Sequence, residues 1–157
     1  MTGKAGFRYA LEPVRLTRKW SLDALLTDLG SLNASLSGCK SRLSRVADEM
    51  QAASSEWKKL ASGRDGFDVG NLKVMNDYIR HLSDRHTVLK EEVEKLEEER
   101  NMLIDQVNRS KKELDAVEEH RDRMHSGFLQ SRLRVDLKSA DNHWNALHAK
   151  KEEEGND

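Results

Sequence analysis

The sequence predicts an all-α fold, a two-helix antiparallel coiled-coil hairpin of elongated shape. Apolar residues recur at steps of three and four along two long segments, which is the spacing of a heptad seam. Glycines concentrate in the short segment between them. The 157 residues include one proline, 35% charged and 5% aromatic residues, a composition that favours uninterrupted helix over a thick globular core.

The first helix is predicted over residues 12–61, after an N-terminal lead of residues 1–11. Pro13 falls in the first turn, where a missing N–H does no harm. Twelve successive seam positions then carry no polar group larger than a thiol. These positions are Leu22, Leu25, Leu29, Leu32, Leu36, Cys39, Leu43, Val46, Met50, Ala53, Trp57 and Leu60.

A turn is predicted over residues 62–71, because Gly63, Gly66 and Gly70 interrupt the heptad there. The second helix is predicted over residues 72–149, and residues 150–157 are predicted to be a disordered acidic tail. The apolar seam of the second helix includes Leu72, Met75, Ile79, Leu82, Leu89, Val93, Leu96, Leu103 and Val107.

The two seams are mirror images about the turn, which predicts a register for the hairpin. Residues equally distant from Gly66 should lie side by side, so that every seam position meets a seam position. The predicted pairs are Leu60 with Leu72, Trp57 with Met75, Leu43 with Leu89, Leu36 with Leu96 and Leu29 with Leu103.

The sequence offers little for catalysis or metal binding. Its six histidines form three pairs spaced five residues apart, whereas two ligands on one helical face need a spacing of three or four. Cys39 lies in the seam and is interpreted as a small buried hydrophobe. Two thin helices also provide no pocket. We therefore expect no enzymatic activity, no cofactor and no metal.

Charge and hydropathy limit the classes of partner. The net charge is −1, from 27 basic and 28 acidic residues, so no global field draws the chain to nucleic acid or to an anionic membrane. No segment reaches the roughly 20 consecutive apolar residues that span a bilayer. The sequence predicts a cytoplasmic protein that binds other proteins, without nucleic acid and without membrane insertion.

Apolar and aromatic residues outside the seam gather where both termini are predicted to lie, and basic residues accompany them, including Arg15 and Arg18. Aromatic and arginine side chains are typical of interface hot spots. Simple packing of these groups on each other is the alternative. The candidate partner-binding residues are Trp20, Leu129, Arg132, Leu133, Arg134, Leu137, Trp144 and Leu147.

The sequence resembles a known family at its opening and in its layout. The opening is Phe7-Arg8-Tyr9-Ala10-Leu11-Glu12-Pro13-Val14, and an amphipathic helix, a short turn and a longer charged helix follow. This arrangement is similar to the stalk proteins of type III secretion, of the flagellar FliJ and injectisome YscO types. The resemblance covers nearly the whole chain.

Membership would imply a coiled coil that inserts into the hexameric export ATPase and couples it to the export gate, in virulence or in flagellum assembly. The implied partners are the export ATPase hexamer, the export gate protein and export chaperones, and the implied location is cytoplasmic, peripheral to the inner-membrane export apparatus. The alternative is a generic coiled-coil scaffold or an export chaperone with no ATPase partner.

Overall fold

The computed structural model describes residues 6–63 and 69–154, with side chains as far as His148. It contains two helices, α1 (Glu12–Ala61) and α2 (Val69–Glu154), which pack against each other. No strand occurs in residues 6–63 and 69–154. The predicted fold class, an all-α two-helix hairpin, is confirmed.

Both ends of α1 follow from local chemistry. Glu12 and Pro13 occupy the first turn, where a carboxylate is favoured by the helix dipole and a missing N–H costs no hydrogen bond. At the other end, Ser62 donates from its backbone N–H to the Lys58 carbonyl oxygen at 3.0 Å. Gly63 then adopts a φ of 65°, the left-handed conformation that ends many helices and that a side chain would strain.

The limits of α2 differ from the prediction at both ends. The helix begins at Val69 rather than at Leu72. The prediction started the helix at the first seam residue, but the helix has a first turn before that residue, and Val69 in this turn is 67% exposed. The helix also continues through Glu154 into the predicted disordered tail, since residues 150–154 are all good helix formers. Residues 64–68 of the predicted turn and residues 155–157 of the tail lie outside the described residues.

The chain divides into two compact units, which we describe separately: a terminal unit (Met1–Ser21 with Ser110–Asp157) and a central unit (Leu22–Arg109). The core of the central unit consists of two clusters. Leu36, Cys39 and Val93 form the first, with Leu43, Leu89 and Leu96 packed against it. Val46, Ala53 and Leu82 form the second, with Met50, Met75, Ile79 and Leu89 packed against it. Both clusters contain the neighbours expected from the mirror register about Gly66.

The predicted seam residues are not equally covered. Leu36 is 6% exposed, whereas Leu29 and Leu103 are half-buried. Trp57 and Leu60, beside the turn, are 39% and 41% exposed, so the structure leaves this end of the seam partly open. A two-helix coil covers each seam position from one side only, and an indole is too wide to be covered in this way.

Polar contacts between the helices accompany the seam of the central unit. The Lys40 ammonium lies 2.6 Å from Glu97, and the Arg100 guanidinium donates from Nε to Asn33 Oδ1 at 2.8 Å. Lys40 and Glu97 are both about half exposed, so we expect their ion pair to contribute under about 1 kcal/mol. Such contacts help to select the register more than they stabilise it.

In the terminal unit, the residues before α1 pack on α2. The Tyr9 hydroxyl donates to the Val117 carbonyl oxygen at 3.1 Å and lies 2.9 Å from His120 Nδ1. The Phe7 ring lies 4.9 Å from the His125 ring and 5.7 Å from the Phe128 ring, centroid to centroid. Aromatic contacts therefore extend the helix pairing past the first turn of α1 and as far as Phe128.

Candidate partner-binding surface

Residues 129–148 of α2, which we call the overhang, follow Phe128, whose ring packs on Phe7 of the lead. Phe7 reaches Phe128, and no described residue of the lead or of α1 makes a hydrogen bond, ion pair or ring contact with residues 129–148. The overhang would be about 30 Å long at 1.5 Å per residue. Among its described side chains, Arg132 is partly buried and the others are exposed.

The overhang carries a stripe of uncovered apolar side chains. Because successive residues of an α-helix are rotated by about 100°, these side chains fall within a strip about 80° wide. Ala140 lies within the same strip. The larger members of the stripe, with their exposed fractions, are Leu129 (51%), Leu133 (60%), Leu137 (57%), Trp144 (61%) and Leu147 (52%).

This stripe is not the continuation of the hairpin seam. The seam of the terminal unit includes buried Leu114 and half-buried Phe128. Extended along α2 at the same spacing, it passes through Val135, which lies roughly 100° or more from the stripe around the helix axis. The stripe therefore faces away from the side of α2 that packs against the other arm.

Basic side chains flank the stripe. Arg132 lies beside one edge and Arg134 beside the other, with Lys138 further round the helix. None of the three has an ion-pair partner among the residues whose side chains are described. The surface can therefore bury apolar area while its guanidinium groups pair with carboxylates of a partner.

Trp144 is the largest group on the stripe. Its ring lies 4.0 Å from the ring of His148, centroid to centroid, one helical turn further along α2. The indole is still 61% exposed, so the contact restrains it without covering it. A restrained aromatic group loses less conformational freedom on binding than a free one, which suits Trp144 to an anchoring role.

Trp20 does not belong to this surface. It is 66% exposed on α1, and in the register about Gly66 it is level with Lys112. Lys112 precedes Leu129 by about 25 Å of helix at 1.5 Å per residue. The structure thus brings seven of the eight candidate residues onto one stretch of α2 and leaves Trp20 apart from them.

Arg15 and Arg18 of α1 are engaged within the hairpin. Arg15, with a side chain only 16% exposed, lies 2.6 Å from Glu12 and 3.4 Å from Glu118, and Arg18 pairs with Glu113. The Arg15 hydrogen bond lowers the pKa of Glu12 from its ordinary value of 4.5. The register predicted about Gly66 places both arginines within one residue of these partners on α2. The charge pattern of α1 alone does not distinguish them from charges on a solvated face.

Other chemistry receives no support from the described residues. No group of three or more metal-ligating side chains comes together in the part of the chain that the structure describes. None of the described helices is long and apolar enough to cross a bilayer.

Comparisons with protein-family models, with curated proteins and with solved structures find no match.

The fold and the surface together define the chain as an all-α helical hairpin whose longer arm presents an uncovered apolar and basic stripe.

Proposed function

We propose that the chain is an accessory stalk of a type III secretion export apparatus, of the injectisome or the flagellum. In this role the coiled coil inserts into the hexameric export ATPase and couples it to the export gate from the cytoplasmic side of the inner membrane. The supporting observation is the overhang, where five large apolar side chains are more than half exposed between flanking arginines. Exposed apolar patches of this kind are typical of protein-binding surfaces.

The geometry fits insertion into a ring. A single helix of about 10–12 Å diameter, side chains included, can enter a channel that a globular domain cannot. Inside it, the stripe would lie against apolar residues of the channel while Arg132 and Arg134 meet carboxylates. Subunits that take turns in contacting one stripe would transmit changes in the ring to the hairpin.

A second surface is available for the gate. Beside the turn, in the central unit, Trp57 is 39% exposed, Val74 71% and Tyr78 47%. Val74 and Tyr78 lie outside the seam, and Trp57 is a seam residue that the hairpin leaves partly open. We propose this turn-proximal surface as the site that the export gate protein contacts.

The ATPase contact is tested by measuring the affinity of the purified chain for the export ATPase of its source organism. Trp144→Ala combined with Leu147→Ala should weaken binding by about 30-fold or more, since truncating an interface anchor often costs about 2 kcal/mol. Val135→Ala is the matched control, because Val135 is 66% exposed on the same helix but outside the stripe. Unchanged affinity in the double variant, with helicity retained, would place the contact elsewhere.

The second candidate is a coiled-coil scaffold or an export chaperone without an ATPase partner. It is favoured by the form of the stripe, which occupies one side of a single helix and could be covered by one further helix. A pull-down from the native cytoplasm separates the two candidates. Recovery of a hexameric ATPase supports the stalk, and recovery of helical partners or secretion substrates alone supports the scaffold or the chaperone.

A further inference from the structure

The apolar stripe of the overhang is nearly symmetric about Ala140. Leu137 and Trp144 lie three residues before and four residues after Ala140, and Leu133 and Leu147 lie seven residues to either side. Reversing the direction of the helix therefore places apolar residues on apolar residues. We propose that this stripe is a self-association surface, which pairs antiparallel with the same stripe of a second copy of this chain, with Ala140 at the two-fold axis.

The proposed pairing produces complete layers. A two-fold interface uses the same patch on both chains, so every contact occurs twice except at the axis. Leu133 would lie beside Leu147 of the second copy, and Leu137 beside Trp144 of the second copy. The two Ala140 residues would meet at the axis, where their small size lets the helices approach closely. The pairing would cover four large side chains per chain that are now 52–61% exposed.

The distribution of charge favours the antiparallel orientation. Arg132, Arg134 and Lys138 all lie in the first half of the stripe, whereas residues 141–148 contain no lysine or arginine. Parallel pairing would place the basic half against itself, which like charges disfavour. Antiparallel pairing places it against the half without lysine or arginine.

Individual contacts between residues that flank the stripe also favour the antiparallel orientation. In heptad geometry, parallel pairing brings Asp136 beside Asp141 of the second copy, on both sides of the seam. Antiparallel pairing instead brings Asp136 beside His143 of the second copy. One like-charged contact remains in the antiparallel pairing: Asp141 of one chain lies beside Asp141 of the second copy, next to the two-fold axis.

The hairpin itself does not offer an equivalent cover. The seam of the hairpin, extended along α2, follows the face that carries Val135. Additional helix from the other arm, packed along that seam, would therefore leave the stripe uncovered. A second copy supplies a matching pattern. This inference goes beyond the proposed function, and it implies that a second copy and an ATPase compete for one surface.

Cysteine crosslinking in the full-length chain tests the pairing and its direction. The native thiol is first removed by Cys39→Ala, and circular dichroism confirms that each variant remains helical. Ala140→Cys should then form a disulfide-linked dimer on mild oxidation, because Ala140 faces its own copy. Leu133→Cys and Leu147→Cys should not dimerise separately but should crosslink when mixed. Asn142→Cys, on the opposite side of the helix, is the matched control.

The outcomes are distinct. Efficient self-crosslinking of Leu133→Cys alone would indicate parallel pairing and overturn the proposal. Crosslinking of Ala140→Cys no greater than that of Asn142→Cys would also overturn it.

Sedimentation provides an independent measurement on the chain without engineered cysteines. The mass should rise from monomer to dimer with concentration, Leu137→Asp should abolish this rise, and Val135→Asp should not. A monomer at every concentration would overturn the proposal.

ATPase affinity, measured separately, tests the stalk function, so that either proposal can fail while the other stands. If both hold, the ATPase should bind the Leu137→Asp variant weakly and should convert wild-type dimers to a one-chain complex.

Discussion

Cys39 on α1 packs against the backbone of Leu89 on α2, with its Sγ atom 3.8 Å from the Leu89 carbonyl oxygen. The side chain is fully buried, at 0% exposure, in the first cluster of the central unit. Burial raises the pKa of the Cys39 thiol above its ordinary value of 9.0, and the neighbouring Glu92 carboxylate adds to the effect. The single thiol of the chain is therefore both inaccessible and protonated at neutral pH.

We expect alkylation of Cys39 in the native chain to be slow and to follow opening of the hairpin, because only the exposed thiolate reacts. The measurement is the rate of thiol modification with increasing denaturant. Gly38→Cys in a Cys39→Ala background is the matched control, since a Cβ atom at Gly38 meets nothing within 4 Å. The control thiol should react at once, and equal rates for the two thiols would contradict the buried position of Cys39.

Leu82 anchors the second cluster of the central unit at 1% exposure. Leu82→Ala should lower the free energy of unfolding by about 2–5 kcal/mol, because it removes buried methyl groups and leaves a cavity. Val88→Ala, at a position 62% exposed on the same helix, should change it by less than about 0.5 kcal/mol. Chemical denaturation followed by circular dichroism checks both values. Similar losses for the two variants would show that Leu82 does not occupy the core.

Glu12 accepts hydrogen bonds from Arg15 at the start of α1, and these lower its pKa from 4.5. The ion pair therefore stabilises the fold above the ordinary pKa, and this contribution is lost as the pH falls through the lowered folded-state pKa. A carbon-13 NMR titration of the Glu12 carboxylate should show an inflection below 4.5, and Arg15→Gln should raise it. Arg18→Gln, which removes the pair with Glu113, should leave the Glu12 inflection in place. An inflection that is insensitive to Arg15 would contradict the contact.

The sequence predicted the helices and much of the core because the heptad period is a direct consequence of helix geometry. Leu36 and Leu96 could be paired from spacing alone, and they pack in one cluster. The period identifies the face of a helix that is buried but not the width of its partner, so it could not predict that Trp57 would be 39% exposed. The sequence analysis also assigned Gly70 to the turn, whereas Gly70 lies in the first turn of α2. A glycine weakens a helix but does not prevent one.

The candidate surface was predicted in part, for a related reason. Residues Leu129 to Leu147 depart from the seam spacing, and a sequence pattern can show such a departure directly. Trp20 was grouped with them as an aromatic residue outside the seam at the same end of the hairpin, although the register about Gly66 already places it level with Lys112. The register about Gly66 places Arg15 opposite Val117, one residue from its partner Glu118, so this pair could have been expected. The charge pattern of α1 alone does not indicate it.

The three tryptophans report on binding more than on folding, because Trp20, Trp57 and Trp144 are 66%, 39% and 61% exposed. In a chain that carries Trp20→Phe and Trp57→Phe, the remaining Trp144 should emit at nearly the same wavelength when folded and dilute as when unfolded. Its emission should shift to the blue as the concentration rises, because antiparallel pairing places the indole against Leu137 of a second copy and removes it from water. Leu137→Asp should abolish the shift, whereas Val135→Asp should preserve it. If sedimentation detects a dimer while the emission stays constant, Trp144 lies outside the interface and the stripe is not the surface that pairs.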